Sequence, residues 1–567
     1  MHERQESGIK AAIYENAIDD MRNAKEILDI VLKERNIVGD EAVREFLSDR
    51  PQKTYDPFLL LNMEAGVDLL LSEINSGGKI CIYGDYDADG VTSICVLSHI
   101  IGMLTNNFTY YIPSRFDEGY GLNKDALKSI RGEGTDLLVT VDCGSVSYDE
   151  VEYAKELGMK VIVTDHHTID DVQADCILIN PKQKGCGYPF KELAGCGVVF
   201  KMAQAICRKA GLPRSTVNDV LDLVAVGTVG DIVSLTDENR TIVKYGLNRI
   251  NAGGRRSLKR LMEAISIDMA TSENIAFGIA PHINAAGRMA SAKEAAELFL
   301  SSNDDTNEDI DRRVSRLVAL NAERKKMQED AYDRCMEMIS GDENFVVLKA
   351  EGIHEGISGI VAGKIKEAVN RPVIILTQSG DGFLKGTGRS VENVDIYGIL
   401  KNHKELFTSF GGHRSACGFL IKEEYFEKLK DGITRDIDAM LDKNEKLFEK
   451  KAMWDVELSA EEVTVELAKE LDRMEPFGQG NAKPVFRLSH VVPANIRFMG
   501  SDGAHAGFTV VSGNGKSADC ILFRRAQEKK DLIIGNRALD ITGTVNLKRW
   551  KGRESVQFVV EEMESCR

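Results

Sequence analysis

The chain has 567 residues, more than one hydrophobic core organises, so three or four domains are expected. Hydrophobic residues make up 43% and charged residues 28%, an ordinary globular balance, and no apolar run approaches the ~20 residues that span a bilayer. A net charge of −17 excludes indiscriminate nucleic-acid binding by the whole surface, though not a local basic groove. The 11 cysteines lack CxxC spacing and fall mostly in apolar runs, a pattern of reduced thiols rather than of a disulfide framework or a zinc ribbon. The opening MHERQESGIK has no apolar stretch of the signal-peptide kind, so a cytoplasmic protein is expected.

Residues 1–50 are expected to be helical, with AKEILDIVLKERNI showing helical spacing of its apolar residues. From 51 to 304, short β-rich runs (KICIYG, DLLVTVD, KVIVTD) alternate with helical patterns, which predicts a parallel sheet wrapped by helices. Residues 305–341 lack Gly and Pro until Gly341 and are densely charged; one long connecting helix is expected, with a coiled-coil arm as the alternative. A second α/β unit covers 342–450. From 451 to 567 the pattern is all-β, short alternating strands that suit a small barrel. The segment from 487 onward carries 13 Lys and Arg against 9 Asp and Glu, so the chain combines an acidic body with a basic C-terminal module.

Four clusters carry chemistry. Asp85, Asp87 and Asp89 crowd three carboxylates into one turn, costly unless a cation neutralises them. Asp142 follows the apolar run LLVTV; Asp165, His166 and His167 follow VIVT; Asp231 follows VAVGTVG. The carboxyl ends of parallel strands are where such sheets gather reactive groups. Carboxylates with one or two imidazoles suit Mn²⁺ or Mg²⁺, and two such ions sharing an oxygen ligand activate water for attack on a phosphodiester. Taken singly, Asp142 reads equally as a helix cap and Asp231 as the end of a helix. An EF-hand is excluded, because Val96 stands where that loop needs its twelfth-position Glu.

GDYDADG (84–90), VDCG (141–144), TDHH (164–167) and VGTVGD (226–231), in this order, resemble the four motifs of the DHH phosphoesterase superfamily. Within it the chain is similar to the RecJ family of single-strand exonucleases, a resemblance extended by IPSRFDEGYGLN (112–123), PHINAAGRM (281–289), GGHRSACGF (411–419) and EPFGQGN (475–481). The resemblance implies a DHH catalytic domain, a long connecting helix, a DHH-associated domain and an OB-like barrel. It also implies two metal ions held by Asp87, Asp89, Asp142, His166 and Asp231, with Asp142 bridging and His167 near the scissile phosphate. Many family members have a histidine where this chain has Tyr83, so two outcomes are expected: either Asp85 supplies an oxygen instead, or that metal binds weakly.

For substrate, Asn284 and Arg288 offer an amide and a guanidinium to phosphate oxygens, and Arg115 and Tyr120 a phosphate contact and a stacking face. The resemblance places Gly411, Gly412 and His413 at the catalytic cleft, together with His354, Arg389 and Ser390. Within the barrel, Phe508 and Phe523 are expected in the core and Trp550 outside it. The activity implied is metal-dependent 5′-to-3′ hydrolysis of single-stranded DNA to mononucleotides, in DNA repair and recombination, with a single-strand-binding protein and a helicase as expected partners. Two rivals remain: a phosphodiesterase on short oligonucleotides or cyclic dinucleotides, against which the barrel argues, and a non-catalytic replication scaffold, against which the four intact clusters argue.

Overall fold

The computed structural model describes residues 22–116, 118–119, 121–169, 172–301, 304–380, 382–449, 453–500, 502–511, 515–550 and 552–566. Tyr120, the side chain of Trp550 and the first 21 residues of the expected N-terminal helical segment lie outside the described residues. The chain divides into two compact units, one of residues 55–233 and 246–450, the other of 1–54, 234–245 and 451–567.

The principal elements, in chain order, begin with helices α1 (Ala24–Glu34), α2 (Asp40–Leu47) and α3 (Met63–Ser76). There follow β1 (Ile80–Gly84), α4 (Ala88–Gly102), β2 (Phe108–Tyr111), α5 (Lys124–Gly132), β3 (Leu137–Val141), α6 (Tyr148–Glu156), β4 (Lys160–Thr164) and β5 (Ile177–Ile179). All five strands are parallel, in the order β2-β1-β3-β4-β5. Strands β1 and β3 are buried along their whole length, as strands covered on both faces must be, which is why their sequences are continuous apolar runs. The chain order reverses between β1 and β3, and the crevice at such a switch point is the natural ligand position in a parallel sheet.

Helices α7 (Gly195–Ala210), α8 (Leu221–Gly230), α9 (Asp237–Asn251), α10 (Arg256–Ala264), α11 (Ala280–Met289) and α12 (Lys293–Phe299) follow along the chain. A π-helical turn, Ile275–Ile279, leads directly into α11. The expected long helix is α13, Asn307–Glu337, opened by a Thr306/Asp309 capping box.

The second sheet of the same unit contains β6 (Val346–Lys349), β7 (Val373–Gln378), β8 (Phe383–Arg389), β9 (Phe407–His413) and β10 (Ala416–Lys422), in the order β6-β7-β8-β10-β9. Only β6 and β7 are parallel, joined through α14 (Glu355–Val369); α15 (Phe426–Lys443) packs on the sheet.

In the other unit, β11 (Val456–Leu458), β12 (Phe486–Met499), β13 (His505–Val511), β14 (Ser517–Leu522), β15 (Leu539–Trp550) and β16 (Arg553–Ser565) form one sheet. Pairing of β12 with β15 closes it into a barrel. The expected all-β pattern is interrupted by a helix, α16 (Val465–Asp472), capped by Thr464; ELAKELD has helical spacing, and its apolar face is buried. Helices α1 and α2 share one hydrophobic core with the barrel, through Ile27, Leu28, Val31, Leu32 and Leu47 against Leu467, Leu471, Phe486 and Leu488. Arg22 Nε donates to Glu462 Oε1 at 2.9 Å across the same junction.

Phe508 is buried as expected, but Phe523 is 48% exposed and meets His505 edge-on at 5.5 Å. Strand β14 ends at Leu522, so the alternation that predicted an inward side chain stops one residue before Phe523.

Candidate metal centre

Each acidic cluster sits where a strand or helix ends. Beyond β1, Asp87 caps α4, its Oδ1 accepting from Asp89 N at 2.9 Å and Gly90 N at 3.1 Å. Asp89, in the first turn of α4, is buried and accepts from the backbone of Gly195 at 2.6 Å and Cys196 at 2.8 Å, so the N-terminus of α7 grips its carboxylate. Asp142, directly after β3, adopts a left-handed φ of 61° that turns its side chain back over the strand ends. Only glycine fits against it: a Cβ on Gly195 would stand 2.3 Å from Asp142 Oδ1. Asp231 is the C-cap of α8, so the plain reading of it as a helix end and the metal reading hold together.

These residues converge. His166 Nε2 lies 3.2 Å from Asp142 Oδ1, 3.5 Å from Asp231 Oδ2 and 4.0 Å from Asp89 Oδ2. Among these residues, three groups have potential ligand atoms within 4.8 Å of one another: Asp85 with Asp87 and Asp142, Asp89 with His166 and Asp231, and Asp142 with His166 and His167. Asp142 belongs to two of them, the position a bridging ligand occupies. Asp85 Oδ1, Asp142 Oδ1 and both ring nitrogens of His166 are buried without a partner. Burial, reinforced by the neighbouring carboxylates, holds Asp85 and Asp142 well above the usual carboxylate range and pushes Asp231 up to about 8. Burial pushes His166 down to about 4, so its imidazole is neutral and free to coordinate. Unpartnered oxygens, one neutral imidazole and crowded like charges fit a hard divalent cation.

Tyr83 takes no part. Its ring is buried, stacked on Tyr111 at 5.3 Å, and its hydroxyl donates to Gly121 O at 2.9 Å. Burial holds that phenol far above its ordinary range, leaving a protonated structural group. Asp85 has an oxygen within 4.8 Å of potential ligand atoms of Asp87 and Asp142.

His167 is oriented by Asp165, which the sequence placed in the same cluster without a task of its own. Asp165 Oδ1 lies 2.7 Å from His167 Nδ1 and accepts from the backbones of His166 at 2.7 Å and His167 at 3.1 Å, while Oδ2 accepts from Ser145 N at 2.9 Å. Burial opposes charge on His167, but the bond to Asp165 and its negative charge prevail and raise the imidazole to about 9. Asn180 Nδ2 completes the support, donating to Ser145 Oγ and His167 O at 2.9 Å. Asp165 was visible within TDHH; Ser145, Asn180 and Gly195 carry no signal of their own in the sequence.

Raised carboxylate affinity has a consequence for stability. The metal-free folded chain holds protons that the unfolded chain releases near pH 4, so this contribution is complete below the ordinary carboxylate range and is lost as pH rises toward 8. A cation that replaces those protons stabilises more at higher pH. Saturating Mn²⁺ is therefore expected to raise the melting temperature by several degrees at pH 8 and by little at pH 5; equal shifts at both would show that this cluster is not where the ion binds.

Beside the acidic cluster lies a basic one. Arg115 stacks over Tyr86 at 5.0 Å, within the aspartate loop. Arg288 Nη1 donates to Gly356 O at 2.9 Å, and Gly359 leaves room for Arg389, a Cβ there standing 2.8 Å from Nη2. Burial lowers both Arg288 (to about 10) and Arg389, and the charge of Arg115 lowers each further. With the charge of Arg115 set against these two buried guanidiniums, the cluster is a site for an anion. His354 caps α14 and packs edge-on against Phe116 at 5.0 Å, at the border of this group.

Other expected substrate residues are placed differently. Asn284 Oδ1 accepts from Ala88 N at 2.8 Å, so this amide oxygen holds the aspartate loop rather than a phosphate. Ser390 is buried, its hydroxyl donating to Val394 O at 2.7 Å within a turn. Gly411, Gly412 and His413 are exposed on β9, the edge strand of the second sheet.

Residues 79–228 match the DHH family, N-terminal domain; 342–442 match the DHHA1 domain; 454–562 match the RecJ OB domain. The single-stranded-DNA-specific exonuclease RecJ of Bacillus subtilis is 35% identical over 542 residues, 94% of this chain and 67% of that protein. That of Escherichia coli is 31% identical over 537 residues, 89% and 90% of the two chains. The chain belongs to the RecJ family. The crystal structure of Thermus thermophilus RecJ in complex with Mn²⁺ superposes with a TM-score of 0.81 at 28% identity, over 96% of this chain and 76% of that one. The fold order read from the sequence, with a DHH sheet, connecting helix, DHH-associated sheet and OB barrel, is the family's.

Proposed function

We propose that this chain is a divalent-metal-dependent exonuclease that hydrolyses single-stranded DNA from the 5′ end to mononucleotides. The observation that carries the reading is two ligand groups sharing Asp142 at the switch point of a parallel sheet, with an arginine cluster beside them. Relatives that share most of the chain are named single-stranded-DNA-specific exonucleases, which supports the substrate; the direction rests on family membership.

Asp85, Asp87, Asp89, Asp142, His166 and Asp231 would hold two Mn²⁺ or Mg²⁺ ions. When bound, such ions supply positive charge against the phosphate oxygens and lower the pKa of an attacking water. The chain's own groups do the rest. Arg115, Arg288 and Arg389 clamp the phosphate, where fixed guanidiniums stabilise charge that grows during displacement. His167, charged at neutral pH and fixed through Nδ1, presents Nε2–H as a proton donor for the departing oxygen. In the other unit, exposed Phe498 and Phe523 offer stacking faces to a single strand. Much of the basic charge there is already paired: Arg525 with Glu528 and Glu562, Arg549 with Glu554, Arg487 with Asp540. Stacking therefore contributes more than the residue count suggests.

No helix among the described residues is long and apolar enough to cross a membrane, and all 11 cysteines are free, which supports a cytoplasmic enzyme of DNA repair and recombination. Since the strand must be opened first, a helicase and a single-strand-binding protein are the partners proposed. A strand of about 30 nucleotides labelled at its 5′ end, digested in Mn²⁺, is expected to release labelled mononucleotide at once. Release of that label only at the end of digestion would reverse the direction, and cleavage restricted to dinucleotides would replace the reading with the short-substrate rival.

A further inference from the structure

Two adjoining cavities lie in the catalytic unit away from the metal centre. One, of 290 Å³, opens at the N-terminus of α10 and is lined by Arg249, Arg255, Arg256 and Ser257, among others. The other, of 850 Å³, shares His99, Arg255 and Ser301 with it and is bordered by Phe108, Tyr110 and Phe299. His99 is near the C-terminal end of α4, about 15 Å along that helix from Asp89.

The smaller cavity is built for an oxyanion. Gly253, at φ 82°, and Gly254 lead into α10, whose N-cap residue Arg255 gives no side-chain cap, so the positive end of the helix dipole is not met by its own N-cap side chain. Ser257, in that first turn, is 1% exposed, and its Oγ has no partner. Arg249 Nη2 pairs with Asp219 Oδ1 at 3.0 Å, while its Nε is buried and unpartnered. His99 Nε2 and, at the larger cavity, Ser98 Oγ are buried without partners too. The same signature marks the metal centre, where unpartnered buried atoms await a ligand. Here the atoms are a guanidinium N–H, which can only donate, and hydroxyls and an imidazole nitrogen, which can donate as well as accept, so one acceptor-rich partner satisfies them all. Of the arginines lining the smaller cavity, Arg249 pairs with Asp219 and Arg255 with Asp222, so the donors left for a ligand are Arg249 Nε and Ser257 Oγ rather than whole guanidiniums.

We infer that these cavities together bind a nucleoside monophosphate, its phosphate against Ser257, Arg249 and the N-terminus of α10, and its nucleoside among Phe108, Tyr110 and Phe299. The phosphate end stands on this geometry alone; the nucleoside is assigned because mononucleotides are the product of the proposed reaction. The site lies remote from the cleavage centre, as a product-sensing site does.

The test uses metal-free, full-length Asp142→Ala protein, whose catalytic centre is disabled, titrated with inorganic phosphate, 2′-deoxyadenosine and 2′-deoxyadenosine 5′-monophosphate in a calorimeter. The monophosphate is expected to bind about tenfold more tightly than phosphate, and the nucleoside not to bind measurably. Ser257→Asp should abolish binding of both phosphates, because its carboxylate repels them while suiting the first turn of the helix; Ser257→Ala should weaken both severalfold and serves if the first variant does not fold. Absence of binding, binding to wild type that is lost in Asp142→Ala, or indifference to both Ser257 substitutions would overturn the site. A monophosphate no tighter than phosphate would overturn its nucleoside half. Because the cleavage centre is disabled throughout, failure of the exonuclease reading leaves the phosphate result standing.

Discussion

Asp142→Ala is expected to lower the rate of single-strand cleavage by about 10³-fold or more, about 4 kcal/mol of lost transition-state stabilisation. The argument is positional. Asp142 groups with Asp85 and Asp87 on one side and lies 3.2 Å from His166 Nε2 on the other, so its loss disturbs both sides at once. Its backbone is held left-handed and Gly195 closes against it, so no neighbouring oxygen can swing into its place. The fold should not suffer. Asp142 is a buried carboxylate crowded by Asp89, Asp87, Asp85 and Asp231, and removing it relieves repulsion in the metal-free protein. The metal-free melting temperature should therefore hold or rise while the Mn²⁺-induced increase disappears. A variant that keeps a tenth of wild-type turnover would sink the bridging assignment.

Asp165→Asn should act on the same reaction through a different quantity. Asp165 holds His167 Nδ1 at 2.7 Å, and that bond and charge raise the imidazole to about 9. Asp85 and Asp231 also raise it, but a bound cation cancels their charge; the part due to Asp165 persists. The protonated ring is the competent form, so activity is full below its pKa and falls tenfold per unit above it. In the variant the alkaline limb should move toward about 6.5, the ordinary imidazole value. At pH 8 kcat should fall by about 30-fold, with little change at pH 6 and little change in KM. An alkaline limb that stays in place would remove His167 from the proton-transfer role and leave Asp165 a merely structural group.

Much of the centre was legible because each ligand follows a continuous apolar run. A strand buried on both faces announces itself in sequence, and its carboxyl end is where a parallel sheet exposes chemistry. Hence Asp85, Asp87, Asp89, Asp142 and His166 could be gathered without coordinates, and Asp231 from the apolar run of the helix it ends. What stayed hidden depends on the third dimension. The grip of Gly195 and Cys196 on Asp89 joins positions more than a hundred residues apart through backbone amides, which have no residue-type signature. Asn284 has the right chemistry for phosphate, yet its oxygen is committed to Ala88 N, and residue type alone cannot tell which partner an amide finds first. Tyr83 occupies a ligand's place in the motif, but a phenol reaches farther than an imidazole and finds Gly121 O instead. Phe523 was misplaced because alternation holds only as long as the strand does.

The shared core of α1, α2 and the barrel has a temporal side. Arg22 and Glu462, which pin that core, are 440 residues apart in the chain. At ~5–20 residues per second, a ribosome needs on the order of half a minute to a minute or more to make the second after the first. Throughout that interval Ile27, Leu28, Val31 and Leu32, each at most 1% exposed in the finished fold, have nothing to pack against. The nascent chain thus carries a sticky amphipathic face for most of the synthesis of these 567 residues, and helices made early are among the last to find their place.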